Sequence, residues 1–337
     1  MKFKALRLYK EAGEKKNGGR VCRMVEQTLD DLDPGNVVIK SHYAAVNYKD
    51  ARAVTGVGNV ISRFPCIPGV EVAGEVVESE DPSFKPGDLV TVQGGRDFGM
   101  RRDGGYSEYV RVPAEWIGRI PQGEDPFDSV AMGLAAYTSA LAVDELLQRG
   151  VTPDKGPVLV TGGTGGSSSF AIDMLAGLGY HVVASTGKTT EHDYLKNIGA
   201  AEIVGRDGIA AGDKPLEEQR WAGAIDAVGG KPLDALLRSM KQRGVVCAFG
   251  NAASETLTTS IYPFILRGVT LTGINGNHPV PERGAVWARM AKGGDLHPRH
   301  TREIAYTIPF ADLQVHCEKL IASGVRGRAV VRFSSKA

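Results

Sequence analysis

Cysteine is scarce in this chain of 337 residues, and the four present, Cys22, Cys66, Cys247 and Cys317, stand far apart. None of the short spacings of a structural metal site or a disulfide framework occurs, so reduced thiols are expected. Charge of one sign is equally missing: 40 Lys and Arg against 39 Asp and Glu leave a formal net charge of +1. A surface so balanced raises no field for nucleic acid or an anionic membrane, and the expected partners are small molecules. The opening residues, MKFKALRLYKE, are charged and lack the apolar centre of a signal peptide. No run is read as reaching the roughly 18 apolar residues of a membrane-spanning helix, so a cytoplasmic location is the expectation. No internal repeat or low-complexity tract interrupts the chain.

What the chain does have is a glycine cluster in a telling place. Val158 to Thr161 are apolar or β-branched and run into Gly162-Gly163-Thr164-Gly165-Gly166, after which Phe170, Ala171, Met174, Leu175 and Leu178 recur at helical spacing. His181 to Ala184 then reads as a second strand. Strand, glycine turn, helix and strand make the βαβ unit of a Rossmann dinucleotide site. Gly162 and Gly163 suit a tight turn with positive φ, while Gly165 and Gly166 let the backbone come close to a pyrophosphate. Amides of Thr164 to Ser167 at the helix start then face the anion, and Ser168 stands where the third fingerprint glycine falls.

The end of the second strand selects between cofactors. Units that bind NAD place an acid about 20 residues past the glycines, on the ribose 2′-hydroxyl. Here the segment is Ser185-Thr186-Gly187-Lys188, with no acid before Glu191. A lysine, two hydroxyls and Arg206 after the next expected strand suit a 2′-phosphate, so NADPH is the expected cofactor.

With the usual ~150 residues per domain, the length implies two domains. The first 127 residues look mainly β, with strands near Lys4–Leu8, Val37–Ala44, Glu71–Glu78, Leu89–Gln93 and Ser107–Val112 divided by Pro-Gly and Gly-Gly turns. Ala131–Gln148 reads as a long helix. From Pro157 the pattern alternates: strands at Ala201–Val204, Ala224–Val228, Val245–Phe249 and Thr270–Gly273 are separated by helices near Glu191–Asn197, Pro232–Gln242 and Tyr262–Leu266. A doubly wound α/β sheet of about six strands follows. The expected division is 1–127 catalytic, 128–276 cofactor-binding and 277–337 returning to the first domain, with a last strand at Gly327–Arg332.

The order of NYKD (Asn47–Asp50), PGVEVAGEV (Pro68–Val76), KPGDLV (Lys85–Val90), GGYSEYV (Gly104–Val110), AAYTSAL (Ala135–Leu141), the Rossmann unit and PFILRGVTLTGIN (Pro263–Asn275) resembles the medium-chain dehydrogenase/reductase superfamily. FPCIPGVEVAG, EHDYLKNIGA and RWAGAIDAVGG (Arg220–Gly230) resemble its quinone oxidoreductase-like branch, which contains acrylyl-CoA reductases. The resemblance implies a GroES-like, mainly β catalytic domain split around the cofactor domain. It also implies NADPH as cofactor, an activated double bond as acceptor, and a homodimer joined at a sheet edge, for which Thr270–Gly273 is the candidate.

Zinc dehydrogenases of that superfamily hold the metal with a cysteine and a histidine-glutamate pair. Asn47 and Tyr48 occupy the cysteine region here and Gly69-Val70-Glu71 lacks the histidine, so no metal is expected. Hydride delivery to an enoyl-CoA, or alternatively a quinone, then needs no Lewis acid. By the resemblance Tyr48 lies at the cofactor as proton donor, with Asn47 as a neutral donor to the carboxamide or substrate oxygen. Asn251 and Ile265 are matched to the nicotinamide half. Arg96, Arg101 and Arg102 form a cationic loop suited to CoA phosphates, and His278 follows the last cofactor-domain strand as a candidate acid.

Overall fold

The computed structural model describes residues 1–12, 16–94, 97–210, 212–277 and 280–333. Along the chain run β1 (Phe3–Lys10), β2 (Arg20–Gln27), β3 (Val37–Ala45), α1 (Tyr48–Val54), β4 (Glu71–Ser79), β5 (Leu89–Gln93), β6 (Tyr109–Val112), β7 (Ile117–Arg119) and α2 (Pro126–Gln148). There follow β8 (Val158–Val160), α3 (Gly166–Gly177), β9 (Val182–Ser185), α4 (His192–Asn197), β10 (Glu202–Val204), β11 (Trp221–Asp226), α5 (Gly230–Arg238), β12 (Met240–Ala248), α6 (Tyr262–Arg267) and β13 (Thr270–Gly273). The chain ends through α7 (Val280–Met290), α8 (Thr301–Ile304), β14 (Ala305–Pro309), α9 (Leu313–Ile321) and β15 (Arg328–Arg332). It divides into two compact units, Met1–Leu134 with Ala305–Ala337, and Ala135–Ile304.

The first unit is mainly β. Its large sheet runs β14-β15-β3-β4-β5-β7 with β6 also on β3, antiparallel except for the β14–β15 pair, while β1 and β2 form a separate ribbon. Alternate residues of these strands point inward, so Val37, Ile39, Val72, Val76, Val90, Val92 and Val110 close one core around Phe98. Gly74 sits where a Cβ would come within 2.0 Å of the Lys40 carbonyl, which lets β3 and β4 meet at a register shift. A second core joins Leu6, Leu8, Ala51, Val54 and Tyr106 to Leu313 and Cys317, and so seats α1 against α9.

The second unit is the doubly wound domain. Its sheet is parallel throughout, in the order β10-β9-β8-β11-β12-β13, and the winding reverses between β8 and β11. Strands covered on both faces need no polar alternation, which is why Val158–Val160 and Val182–Ser185 are buried at every position.

Several expectations need correction. The sequence reading lacks β2, β7, β14, α1, α7, α8 and α9. It also ran one helix to Gln242, whereas α5 ends at Arg238 and Lys241 and Gln242 belong to β12. Residues 280–304 group with the second unit, not the first, because Trp287 stacks on Tyr137 (5.6 Å between centroids, 8° between planes), Arg289 pairs with Asp144, and His300 Nδ1 meets Asp173 Oδ1 at 2.8 Å. The return to the first unit therefore begins at Ala305.

The expectation of no membrane-length apolar helix also fails, since α2, with 23 residues, is long and apolar enough to cross a bilayer. Its Val130, Ala131, Ala136, Ala140, Ala142, Val143 and Leu146 are nonetheless buried by the protein itself. It is also interrupted at Gly133, whose φ of 39° and ψ of −144° leave the helical region.

Candidate functional site

In the second unit the glycine turn is built from below. Thr161 follows β8 and donates its hydroxyl to buried Asp226 Oδ1 at 2.6 Å; the amide of Gly229 donates to Asp226 Oδ2 at 2.8 Å. One carboxylate at the end of β11 thus fixes two loops. Gly162 turns with φ of 60°, and Gly163 packs so close to β9 that a Cβ would lie 3.2 Å from that of Ala184. Gly165 takes the N-cap position of α3, with no side chain to offer the first-turn amides. These amides are left for an anion, and a Cβ on Gly165 would meet only the Gly162 carbonyl, at 3.3 Å.

Ser168, at the third fingerprint position, is compatible with this packing. Its hydroxyl donates to the Thr161 carbonyl at 2.9 Å, while that of Ser169 donates to the Gly163 carbonyl at 3.1 Å. Ser139 reaches the carbonyl of Ser167 at 2.6 Å. The serines tie helix to turn where glycine would merely fit.

At the tip of β9 the expected residues converge. Ser185 and Thr186 are buried, and the Lys188 amide donates to the Thr186 hydroxyl at 3.1 Å. Arg206 lies across Gly187, with Nε 3.0 Å from where a Cβ would stand. Burial is the largest influence lowering the Lys188 pKa, with Arg206 pushing the same way and Glu191 opposing. Two cations beside buried hydroxyls fit a 2′-phosphate, so the residues present fit NADPH. Asn251 is exposed beyond β12, and Ile265 is 64% exposed on α6 beside Ile261, Tyr262 and Leu266.

In the first unit, α1 carries the expected tyrosine. Tyr48 is its first residue and 37% exposed, behind Asn47 at the N-cap. Asn47 corrects the sequence reading, since its amide is engaged on every side. Nδ2 donates to Asp50 Oδ2 (2.9 Å) and Glu71 Oε2 (2.8 Å), while Oδ1 accepts from Arg328 Nη1 (2.9 Å). No hydrogen remains for a cofactor or substrate oxygen. Asp50 also accepts the amides of Asn47 and Val70, and burial, the largest influence, pushes its carboxyl up to about 6. The Glu71–Arg328 ion pair (2.5 Å) beneath them was not found in the sequence; its partners lie 257 residues apart and no local pattern joins them.

Two arginines of the cationic loop have partners within the protein. Arg102 donates to the Pro34 carbonyl and its guanidinium lies 5.1 Å from the Trp116 ring centroid, while Arg101 pairs with Asp97 at 3.6 Å. Arg96 and His278 lie outside the described residues. Among the described residues no three His, Cys, Asp or Glu side chains gather as a metal-ligand set.

Comparison with known proteins places these features in context. Residues 33–122 match the alcohol dehydrogenase GroES-like domain, and residues 166–292 match the zinc-binding dehydrogenase family. The chain is 39% identical to the acrylyl-CoA reductase AcuI of Ruegeria pomeroyi over 320 residues, 94% of this chain and 96% of that protein. It is 40% identical over 309 residues to YhfP of Bacillus subtilis, which carries a quinone oxidoreductase name, covering 91% of this chain and 93% of that one. A crystal structure of YhfP with NAD bound superposes with a TM-score of 0.88 at 38% identity, covering 98% and 99% of the two chains. The crystal structure of Escherichia coli K-12 YhdH with bound NADPH gives 0.89 at 38% identity, covering 97% of this chain and 99% of that chain.

Proposed function

We propose, from the premise that the chain belongs to the medium-chain dehydrogenase/reductase superfamily and to its quinone oxidoreductase-like, acrylyl-CoA reductase branch, that it reduces the activated double bond of an enoyl thioester such as acrylyl-CoA. The protein is an NADPH-dependent oxidoreductase. The observation that carries the cofactor side is Arg206 lying against Gly187, near enough to Lys188 to lower its pKa, where an NAD site would present an acid.

When bound, NADPH supplies the hydride. The first-turn amides of α3 hold the pyrophosphate, Lys188 and Arg206 hold the 2′-phosphate, and Asp226 keeps the turn in shape through Thr161. Tyr48 donates the proton to the α-carbon, and Asn47 acts by holding the start of α1. An enoyl thioester suits such a site because its own carbonyl spreads the developing charge, so no Lewis acid is required.

The reading includes a cytoplasmic homodimer. Strand β13 ends the six-stranded sheet, and α6 next to β12 exposes Ile261, Tyr262, Ile265 and Leu266. A monomer by light scattering at working concentration removes the dimer from the reading.

Quinone reduction is the alternative, favoured by the name carried by YhfP at 40% identity. Stopped-flow oxidation of NADPH by the purified protein with acrylyl-CoA, crotonyl-CoA and small quinones separates the two. Acrylyl-CoA is expected to give the highest kcat/KM. Quinones matching it would replace the thioester, and no oxidation with any acceptor would leave a binding protein.

A further inference from the structure

The break in α2 is filled by an ion pair from elsewhere in the first unit. In an unbroken helix the Leu134 amide donates to the Val130 carbonyl four residues back. Here Leu134 N donates to Glu71 Oε1 at 2.6 Å, and the Val130 carbonyl accepts Nε and Nη2 of Arg328, each at 3.2 Å. Arg328 Nη2 closes the circuit on Glu71 Oε2 at 2.5 Å. One salt bridge thus replaces one rung of the helix. Gly133 makes room for it, since a Cβ there would stand 2.1 Å from Glu71 Oε1 and 2.8 Å from Arg328 Nη2.

The same pair reaches α1. Arg328 Nη1 and Glu71 Oε2 hold the two ends of the Asn47 amide, and Asn47 caps the helix that begins at Tyr48. The two side chains are almost wholly buried, at 2% and 0% exposure. Taking both charges out of water is costly, and a continuous helix would satisfy Val130 and Leu134 without them. Stability alone therefore gives a weak account of the arrangement. A rigid, charge-assisted link between two helix termini gives a better one.

We propose that Glu71 and Arg328 are positioning residues, whose ion pair in the broken rung of α2 fixes the first turn of α1 and thereby the ring of Tyr48 for reduction. The proposal rests on the reading of Tyr48 as the reacting residue. In its structural part it requires that loosening the pair loosens both helix ends together. In its functional part it requires that turnover falls while cofactor binding, which the second unit provides, does not.

The test uses Arg328→Lys, which loses the forked contacts, and Glu71→Gln, which keeps shape and loses charge, so that a folding failure in one leaves the other. Hydrogen exchange of residues 130–136 and 47–54 is measured alongside kcat, KM and NADPH affinity by fluorescence. The expected result is faster exchange in both segments, kcat lower by about 10- to 100-fold, the scale of a misplaced reacting group, and NADPH affinity within about twofold of the parent. Exchange rising in only one segment, or rising in both with kcat unchanged, overturns the proposal. Failure of the underlying reading is visible separately: Tyr48→Phe then leaves kcat unchanged, while the exchange of the two segments still reports whether they are linked.

Discussion

Arg206 rests on Gly187, its Nε 3.0 Å from the place a Cβ would occupy, and this contact brings the guanidinium beside Lys188 at the end of β9. Any residue larger than glycine would push the arginine aside. A charged hydrogen bond lost from a phosphate costs about 1.5 to 3 kcal/mol, so Lys188→Ala is expected to weaken NADPH binding roughly 10- to 100-fold and leave NADH nearly unchanged. Gly187→Val should act in the same direction through Arg206. Fluorescence titrations with both cofactors decide, and an equal loss for NADH would mean that neither cation reads the 2′-phosphate.

That cradle was legible in the sequence because every part of it lies within a run of about fifty residues, and glycine turns and strand ends are local signals. The ion-pair network was not. Asn47, Glu71 and Arg328 come from three separate stretches, and no pattern within any one of them reveals that they touch. The break in α2 was hidden for the same reason, since Gly133 in an apolar helical run is unremarkable until Glu71 is seen against it. Helix α9 escaped because two of its buried positions are His316 and Cys317, while Val315 is 54% exposed, which blurs the apolar stripe.

Arg102 belongs to a loop of like charges that suits CoA phosphates by sequence, and its guanidinium lies over Trp116 and against the Pro34 carbonyl. Arg102→Ala is therefore expected to lower stability by about 1 to 2 kcal/mol through the lost cation–π and hydrogen-bond contacts, with the KM for a CoA ester unchanged. Urea unfolding and steady-state kinetics on the same preparation test both halves. A raised KM that reverts toward the parent with free acrylate in place of the ester would restore the phosphate role.

Metal independence is a further expectation, despite the family description matched over residues 166–292. The carboxylate of Glu71 already accepts from Leu134, Asn47 and Arg328. Prolonged dialysis against a strong chelator should leave NADPH oxidation unchanged. Activity lost on dialysis and restored by zinc alone would overturn the assignment.

Asp50 makes stability depend on pH. Its carboxyl rises from the ordinary 3.8 to about 6, chiefly through burial. A raised carboxyl binds its proton more tightly in the folded state, so its stabilising contribution is complete below about pH 4 and disappears as pH rises through about 6. The change amounts to at most about 3 kcal/mol. Asp50→Asn, which cannot titrate, is destabilised by the mismatch of its amide with the donors of Asn47 and Val70. Between pH 4 and 7 the stability difference should nevertheless shift toward the variant by up to about that amount. Urea midpoints across the range measure it, and a constant difference would place the titration elsewhere.

The proton donor is the most exposed part of the functional reading. Tyr48 opens α1 with its side chain partly in solvent, and Asn47 behind it has no hydrogen left to donate. On the proposed reading the phenol delivers the proton as the α-carbon gains electron density. Removing a general acid typically costs 10² to 10⁴ in rate, so Tyr48→Phe should lower kcat by about that factor while the ring still packs and NADPH affinity stays near the parent value. A solvent isotope effect on kcat that is present in the parent and altered in the variant would tie the loss to proton transfer. If Tyr48→Phe turns over at the parent rate, water delivers the proton, and the role of Tyr48 contracts to packing at the start of α1.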